Sequence, residues 1–200
     1  VAVGVVDFQK NEFKSFEISA QNVLSEKPYL YFDLASLTKA LTSATIWLKS
    51  PELFDKNLLL LLNHKAGLPI GGRLSVPGWR EQILSYDIKE SPSLYSDYSS
   101  LRFMLEIEKK SGKKLKELCT YFFDKELVHW TELPPRSFTP ETGMRAGKVI
   151  THQVHDDNCF LIGEFISHAG LFSTIDGLAR SLLNLEKQTN MIQKMTDVFK

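Results

Sequence analysis

Apolar and polar residues alternate at the start of the chain and then change period. Residues 1–8 are valine-rich, and Phe13, Phe16 and Ile18 follow a polar stretch containing the turn-former Asn11, so two strands joined as a hairpin are predicted. Glu26-Lys27-Pro28 interrupts that pattern. Across residues 36–49, Leu37, Ala40, Leu41, Ala44 and Leu48 recur three or four apart, the period of a helix with one apolar stripe, and Pro51 stops it. Residues 58–65 read as a buried helix, with Gly67 as its cap and Pro69 beyond. Further helices are predicted over 79–86, over 99–110 with a stop at Ser111-Gly112, and over 115–123. Residues 131–160, rich in Pro, Thr, Gly and Asp, are predicted to be irregular. Ser173-Thr174-Ile175-Asp176 resembles a helix start, with Asp176 near the positive end of the dipole, and the last helices are expected over 177–185 and 191–199.

Strands at the start and helices in the middle predict an α/β (α+β) fold, an antiparallel sheet lobe with an inserted helical lobe. Within a single domain of residues 1–200, residues 1–35 begin the sheet lobe, 36–160 form the mostly helical lobe and 161–200 return to the sheet. The chain has 200 residues, 43% of them hydrophobic, which suits one folded domain. Its 24 basic side chains balance 24 acidic ones, so it lacks the positive field of a nucleic-acid wrapper or a polybasic membrane-surface protein. The longest apolar run, Leu58 to Leu62, falls far short of the roughly 20 residues of a bilayer span. The first residue is Val1 rather than Met, so a processed or trimmed start is one reading, and no targeting signal is legible. Cys119 and Cys159 are too few for a disulfide framework and read either as two free buried thiols or as one bridge.

Four segments carry candidate chemistry. In Asp33-Leu34-Ala35-Ser36-Leu37-Thr38-Lys39, Ser36 and Lys39 stand three apart at a predicted helix start and so share a face. A serine hydroxyl needs a neighbour to take its proton, and a lysine held neutral by burial or by a second cation can do so. The bland alternative is a helix start with an exposed lysine; a second Ser-x-x-Lys, Ser111 to Lys114, shows that the spacing also arises by chance. Tyr95-Ser96-Asp97 offers either a proton shuttle beside a carboxylate or a core tyrosine followed by a capping aspartate. His152, His155, Asp156 and Asp157 are a candidate metal cluster or a polar turn, without the His-Glu-x-x-His pattern. His168-Ala169-Gly170-Leu171-Phe172-Ser173-Thr174 suits a tight strand-to-helix passage, with His168 facing a site or capping backbone groups.

Taken in order, these segments resemble the serine β-lactamase and penicillin-binding superfamily, above all its branch of class C β-lactamases, D-alanyl-D-alanine carboxypeptidases and related esterases. Ser36-Leu37-Thr38-Lys39 is similar to the nucleophile motif Ser-x-x-Lys. Leu61-Leu62-Asn63-His64-Lys65-Ala66-Gly67-Leu68-Pro69 is similar to Leu-Leu-x-His-x-x-Gly-Leu-Pro, and Tyr95-Ser96-Asp97 to Tyr-x-Asn with Asp in place of Asn. Val154 to Asn158 and the segment beginning at His168 resemble later parts of the family, so the likeness covers most of residues 1–185.

The resemblance implies an acyl-transfer serine hydrolase acting on a D-alanyl peptide, a β-lactam or an ester. Ser36 would be the acylated nucleophile, Lys39 its proton acceptor or the group that tunes one, and Tyr95 the relay to the leaving group. Asp97 and His168 would contact substrate, although a carboxylate at position 97 favours a protonated Lys39 and turns attention to Tyr95 as base. No cofactor or metal is implied, the partner would be a small molecule or a peptidoglycan-derived peptide, and family members mostly lie outside the cytoplasm. The third family element, Lys-Thr-Gly or His-x-Gly, is expected after the Gly-Leu-Phe-Ser segment and its helix, beyond Lys200. Its strand would supply half of the oxyanion hole, so the 200 residues are expected to be completed by a further segment or another chain, or to form a non-catalytic binder of cell-wall fragments.

Overall fold

The computed structural model describes residues 1–18, 24–25 and 29–198. The break expected at Glu26-Lys27-Pro28 and the expected helix end at Phe199 lie outside these. In chain order the strands are β1 (Ala2–Asp7), β2 (Glu12–Ile18), β3 (Leu24–Ser25), β4 (Phe32–Asp33), β5 (Leu127–His129), β6 (Met144–Arg145), β7 (Lys148–Val149) and β8 (Leu171–Ser173). The α-helices are α1 (Leu37–Lys39), α2 (Thr45–Lys49), α3 (Lys56–Leu62), α4 (Trp79–Leu84), α5 (Asp97–Ser111), α6 (Leu115–Cys119), α7 (Asp157–Ile162), α8 (Ile175–Thr189) and α9 (Met191–Val198). They divide between two compact units, residues 1–34, 122–155 and 171–200 in the first, and 35–121 and 156–170 in the second.

The first unit carries the sheets. The hairpin forms as expected, antiparallel with Val3 opposite Phe16 and Val6 opposite Phe13, and β3 extends it beside β2. One face of this sheet meets α8, where Ser15 hydrogen-bonds Asp176 and Gly4 lies against Ile175, while Val3 and Val5 on the opposite face are exposed. A second antiparallel sheet runs in the order β4-β8-β5. The passage from β8 into α8 follows the expected helix start, with the Thr174 hydroxyl as the cap that accepts the Gly177 amide at 2.9 Å. Gly177 is there because a side chain has no room: its Cβ would stand 2.6 Å from Glu126 Cβ. Arg180, one turn on, clamps Asp124 and Glu126 at 3.0 and 2.8 Å. β5 and the β6–β7 hairpin are strands that the sequence pattern did not announce, being only two or three residues long.

The second unit is helical. α5 begins at Ser96, whose hydroxyl accepts the Ser99 amide at 2.9 Å, and ends at the left-handed Gly112. Its buried face, Leu101, Phe103, Met104 and Ile107, packs with Leu58 and Leu61 of α3 and Ile83 of α4 in the unit's core. Three expectations need correction. The α3 helix spans Lys56–Leu62 rather than 58–65: Asp55 caps its start, and it is His64, at φ +55°, that takes the left-handed turn before Gly67. Residues 115–123 form α6 and then a 3₁₀ turn, Thr120–Phe122. Within the stretch read as irregular, Asp156 caps the helix α7 by accepting the Cys159 amide at 2.7 Å.

The helix expected over 36–49 is present but not uniform. Between α1 and α2, Ala40–Ala44 forms a π-helical segment. Thr42 and Thr45 donate their hydroxyls back to the carbonyls of Thr38 and Leu41, at 2.7 and 2.8 Å. Such back-bonding competes for the carbonyls of the α ladder and distorts a helix. Cys119 and Cys159 are free, buried thiols, and burial pushes the Cys119 thiol up, beyond the reach of physiological pH. Among the described residues no helix is long and apolar enough to cross a membrane.

Candidate active site

The residues of the site all belong to the second unit. Ala35 has φ +44°, an uncommon conformation for a residue with a side chain, and it turns the chain into α1. Ser36 follows in the first turn, but its hydroxyl caps nothing. It instead accepts from Lys39 Nζ at 3.1 Å, so the sequence spacing does bring the pair together.

Lys39 is the centre of the arrangement. Its side chain is only 11% exposed, and its ammonium meets Asp97 Oδ1 at 2.7 Å, Ser36 Oγ at 3.1 Å and the His168 carbonyl at 3.2 Å. An ammonium has three hydrogens and no lone pair, so these three acceptors satisfy it completely. The Tyr95 ring presents its face to the same nitrogen, 4.8 Å from the centroid, within cation–π range. Tyr95 is 51% exposed, and its hydroxyl makes no hydrogen bond among the described residues.

Tyr95 is held by His64, the histidine of the Leu61–Pro69 segment, to which the sequence gives no role of its own. The His64 carbonyl accepts the Leu94 amide at 2.9 Å, and His64 Nδ1 accepts the Ser96 amide at 3.2 Å. The imidazole lies 4.8 Å from the Tyr95 ring, centroid to centroid. His64 thus brackets Tyr95 from both sides, which its left-handed backbone makes feasible. Burial, and then the charge of Lys39, hold the imidazole below its ordinary range despite the opposing pull of Asp97. It is therefore neutral near pH 7, and Nδ1 as acceptor leaves the proton on Nε2. Asp97 is fixed by its amide, which donates to the Ile70 carbonyl at 2.7 Å.

His168 meets this arrangement through its carbonyl and not through its imidazole. The ring is buried, with Nε2 3.1 Å from Asp156 Oδ1, so the substrate contact expected of that side chain has no counterpart in the geometry. Asp156, which the sequence offers as a metal ligand or as part of a polar turn, is a supporting residue: it caps α7 and pairs with His168. Burial raises its carboxyl, but the hydrogen bond and charge of His168, the Cys159 amide and Lys39 outweigh this and hold it low. His152, for its part, bonds Thr139 and the Ser137 carbonyl. Among the described residues no group of three or more His, Cys, Asp or Glu could hold a metal ion.

A cavity of about 240 Å³ opens beside Ser36, Lys39, His64 and Tyr95, with Leu61 and Phe103 in its walls.

Three solved structures have a similar fold. A penicillin-binding protein from Bacillus halodurans matches over 94% of this chain and 70% of its own, with 16% identity and a TM-score of 0.61. FmtA from Staphylococcus aureus matches over 81% and 55%, with 14% identity and a TM-score of 0.60. A β-lactamase/D-alanine carboxypeptidase from Pseudomonas syringae matches over 86% and 55%, with 13% identity and a TM-score of 0.56. No protein-family model matches the sequence, and no curated protein does. The chain therefore has the serine β-lactamase and penicillin-binding fold, and it spans 55% to 70% of these three proteins.

Proposed function

We propose that the protein is a serine hydrolase working by acyl transfer, with Ser36 as nucleophile. The observation that carries this reading is the 3.1 Å contact between Lys39 Nζ and Ser36 Oγ in the first turn of a helix, on a fold shared with a carboxypeptidase and a penicillin-binding protein. Ser36 Oγ attacks a carbonyl carbon, and its proton passes by way of Tyr95 to the leaving group as the carbon–leaving-group bond breaks. Water then attacks the ester on Ser36, the bond to Oγ breaks, and one water proton returns to Oγ by way of Tyr95 as the acid is released. Lys39 stays an ammonium in this scheme, placing positive charge beside the developing alkoxide, and the Ser36 amide supplies an oxyanion donor. Asp97 orients Lys39, and His64 positions Tyr95.

Incubation with a fluorophosphonate followed by mass spectrometry tests the assignment. One adduct on Ser36, lost in Ser36→Ala, is expected. A well-folded protein that takes up no adduct sinks it.

A second reading has an observation of its own. The Asp97 carboxylate, 2.7 Å from Lys39 Nζ, holds the cation more closely than Ser36 does, as suits a non-catalytic binder of cell-wall fragments. Saturable binding of such fragments without acylation is what that reading requires.

A further inference from the structure

We propose that the cavity beside Ser36 is an acyl pocket for a short, uncharged chain bearing one hydrogen-bonding atom, which makes small neutral esters the substrate class of the site. The proposal rests on the reading of Ser36 as nucleophile and deepens it.

Size is the first argument. About 240 Å³ lies below the roughly 300 Å³ at which sites for drug-sized ligands begin. The space exists because the π segment contributes Ala40, Ser43 and Ala44 to its lining, and two of these have no side chain beyond Cβ. Leu61, Leu62 and Phe103 complete an apolar interior suited to methylene groups.

Ser43 is the second argument. It is 4% exposed, it lines the cavity, and its hydroxyl has no hydrogen-bond partner among the described residues. Its neighbours Thr42 and Thr45 both satisfy theirs by bonding back to the helix. A buried hydroxyl left unpaired is a standing cost that a polar atom on a bound chain removes.

Charge is the third. Among the described residues Lys39 is the only lysine or arginine lining the cavity, and Asp97 answers it at 2.7 Å. His64, also in the lining, is neutral near pH 7. Among the described residues a substrate carboxylate, of the kind a D-alanyl peptide ends in, meets no uncompensated cation in this lining, and desolvating it unpaired is costly.

The test compares nitrophenyl acetate, butyrate, β-hydroxybutyrate, decanoate and the anionic succinate hemiester as substrates of the purified protein. β-Hydroxybutyrate should give the highest kcat/KM and butyrate the next, with succinate about tenfold or more below butyrate. Ala44→Leu should raise the acetate-to-butyrate ratio about tenfold, with Ala40→Val as the milder filling variant if the first does not fold. Ser43→Ala should erase the preference for β-hydroxybutyrate over butyrate. Succinate equal to butyrate, or a chain-length profile unmoved by both filling variants, overturns the pocket. If no ester turns over and fluorophosphonate leaves Ser36 untouched, it is the hydrolase reading that fails. The pocket is then judged by NMR with butanamide: shifts of the Ala40 and Ala44 methyl signals in the wild type, with the Ala44 shift reduced in Ala40→Val, support it, and unmoved signals overturn it.

Discussion

Asp97 Oδ1 lies 2.7 Å from Lys39 Nζ, closer than the 3.1 Å that separates the same nitrogen from Ser36 Oγ. The lysine that faces the proposed nucleophile is therefore first of all the partner of a carboxylate. Charge at position 97 governs how much of the ammonium's field falls on Ser36 Oγ.

Asp97→Asn removes the counter-ion nearest Lys39 and leaves the field of the ammonium to Ser36 Oγ. With Lys39 acting as a fixed cation beside the developing alkoxide, Ser36 acylation should speed up. Stopped-flow kinetics with fluorophosphonate check it. An unchanged or slower rate means that Asp97 serves mainly to hold Lys39 in place.

Lys39→Met leaves the Asp97 carboxylate without its cation. Acylation should fall by about 10²- to 10⁴-fold, the range of a lost acid–base or electrostatic group. Stability should fall by about 2 kcal/mol, less than for a fully buried pair because the Asp97 side chain is 35% exposed. Urea melts of the Lys39→Met/Asp97→Asn double variant should recover part of that loss.

His64 links the site to pH. Its folded-state pKa lies below the ordinary 6.5, so the unfolded chain takes up a proton first as pH falls. The stability it confers is complete above about pH 6.5 and is lost as pH drops from there through the folded value. Protonation also ends Nδ1 as an acceptor for the Ser96 amide. His64→Asn keeps a side-chain acceptor, tolerates the left-handed backbone and does not titrate. It should flatten this limb in a series of thermal melts, whereas His64→Ala should lower kcat more than it raises KM as Tyr95 loosens.

Asp156→Ala removes both the α7 cap and the partner of a buried imidazole. A loss of about 1–3 kcal/mol in urea is expected, larger than for a cap alone. Since the Asp156 carboxyl is held below its ordinary 3.8, its contribution is present above that pH and disappears as pH falls through the folded value. The wild type should therefore have an acid limb, well below that of His64, which the variant lacks.

Legibility in the sequence followed range. α5 could be read because its apolar stripe, the serine before it and Gly112 after it all lie within one segment. α7 has only six residues and was hidden by the polar stretch around it, and β5 by its three. The Ser36–Lys39 contact is local, so spacing sufficed. The pairing of Asp156 with His168 and the bracket of His64 around Tyr95 join residues 12 and about 30 apart, and no local pattern encodes them. Helical period likewise could not reveal the π segment, because Leu37, Ala40, Leu41 and Ala44 would form the same stripe on an unbroken helix.

That segment bears on how the chain tolerates change in length. A π turn is an α-helix with one residue too many, so shortening Ala40–Ala44 by a single residue would restore regular winding without breaking the helix. Because the wide turn already absorbs the surplus residue, Ser36 and Lys39 would keep nearly their bearing relative to Ile46 and Leu48, which are anchored in the core. What would change is the lining that the segment gives the cavity, Ala40, Ser43 and Ala44. A single deletion here thus remodels the pocket while leaving the Ser36–Lys39 pair in place.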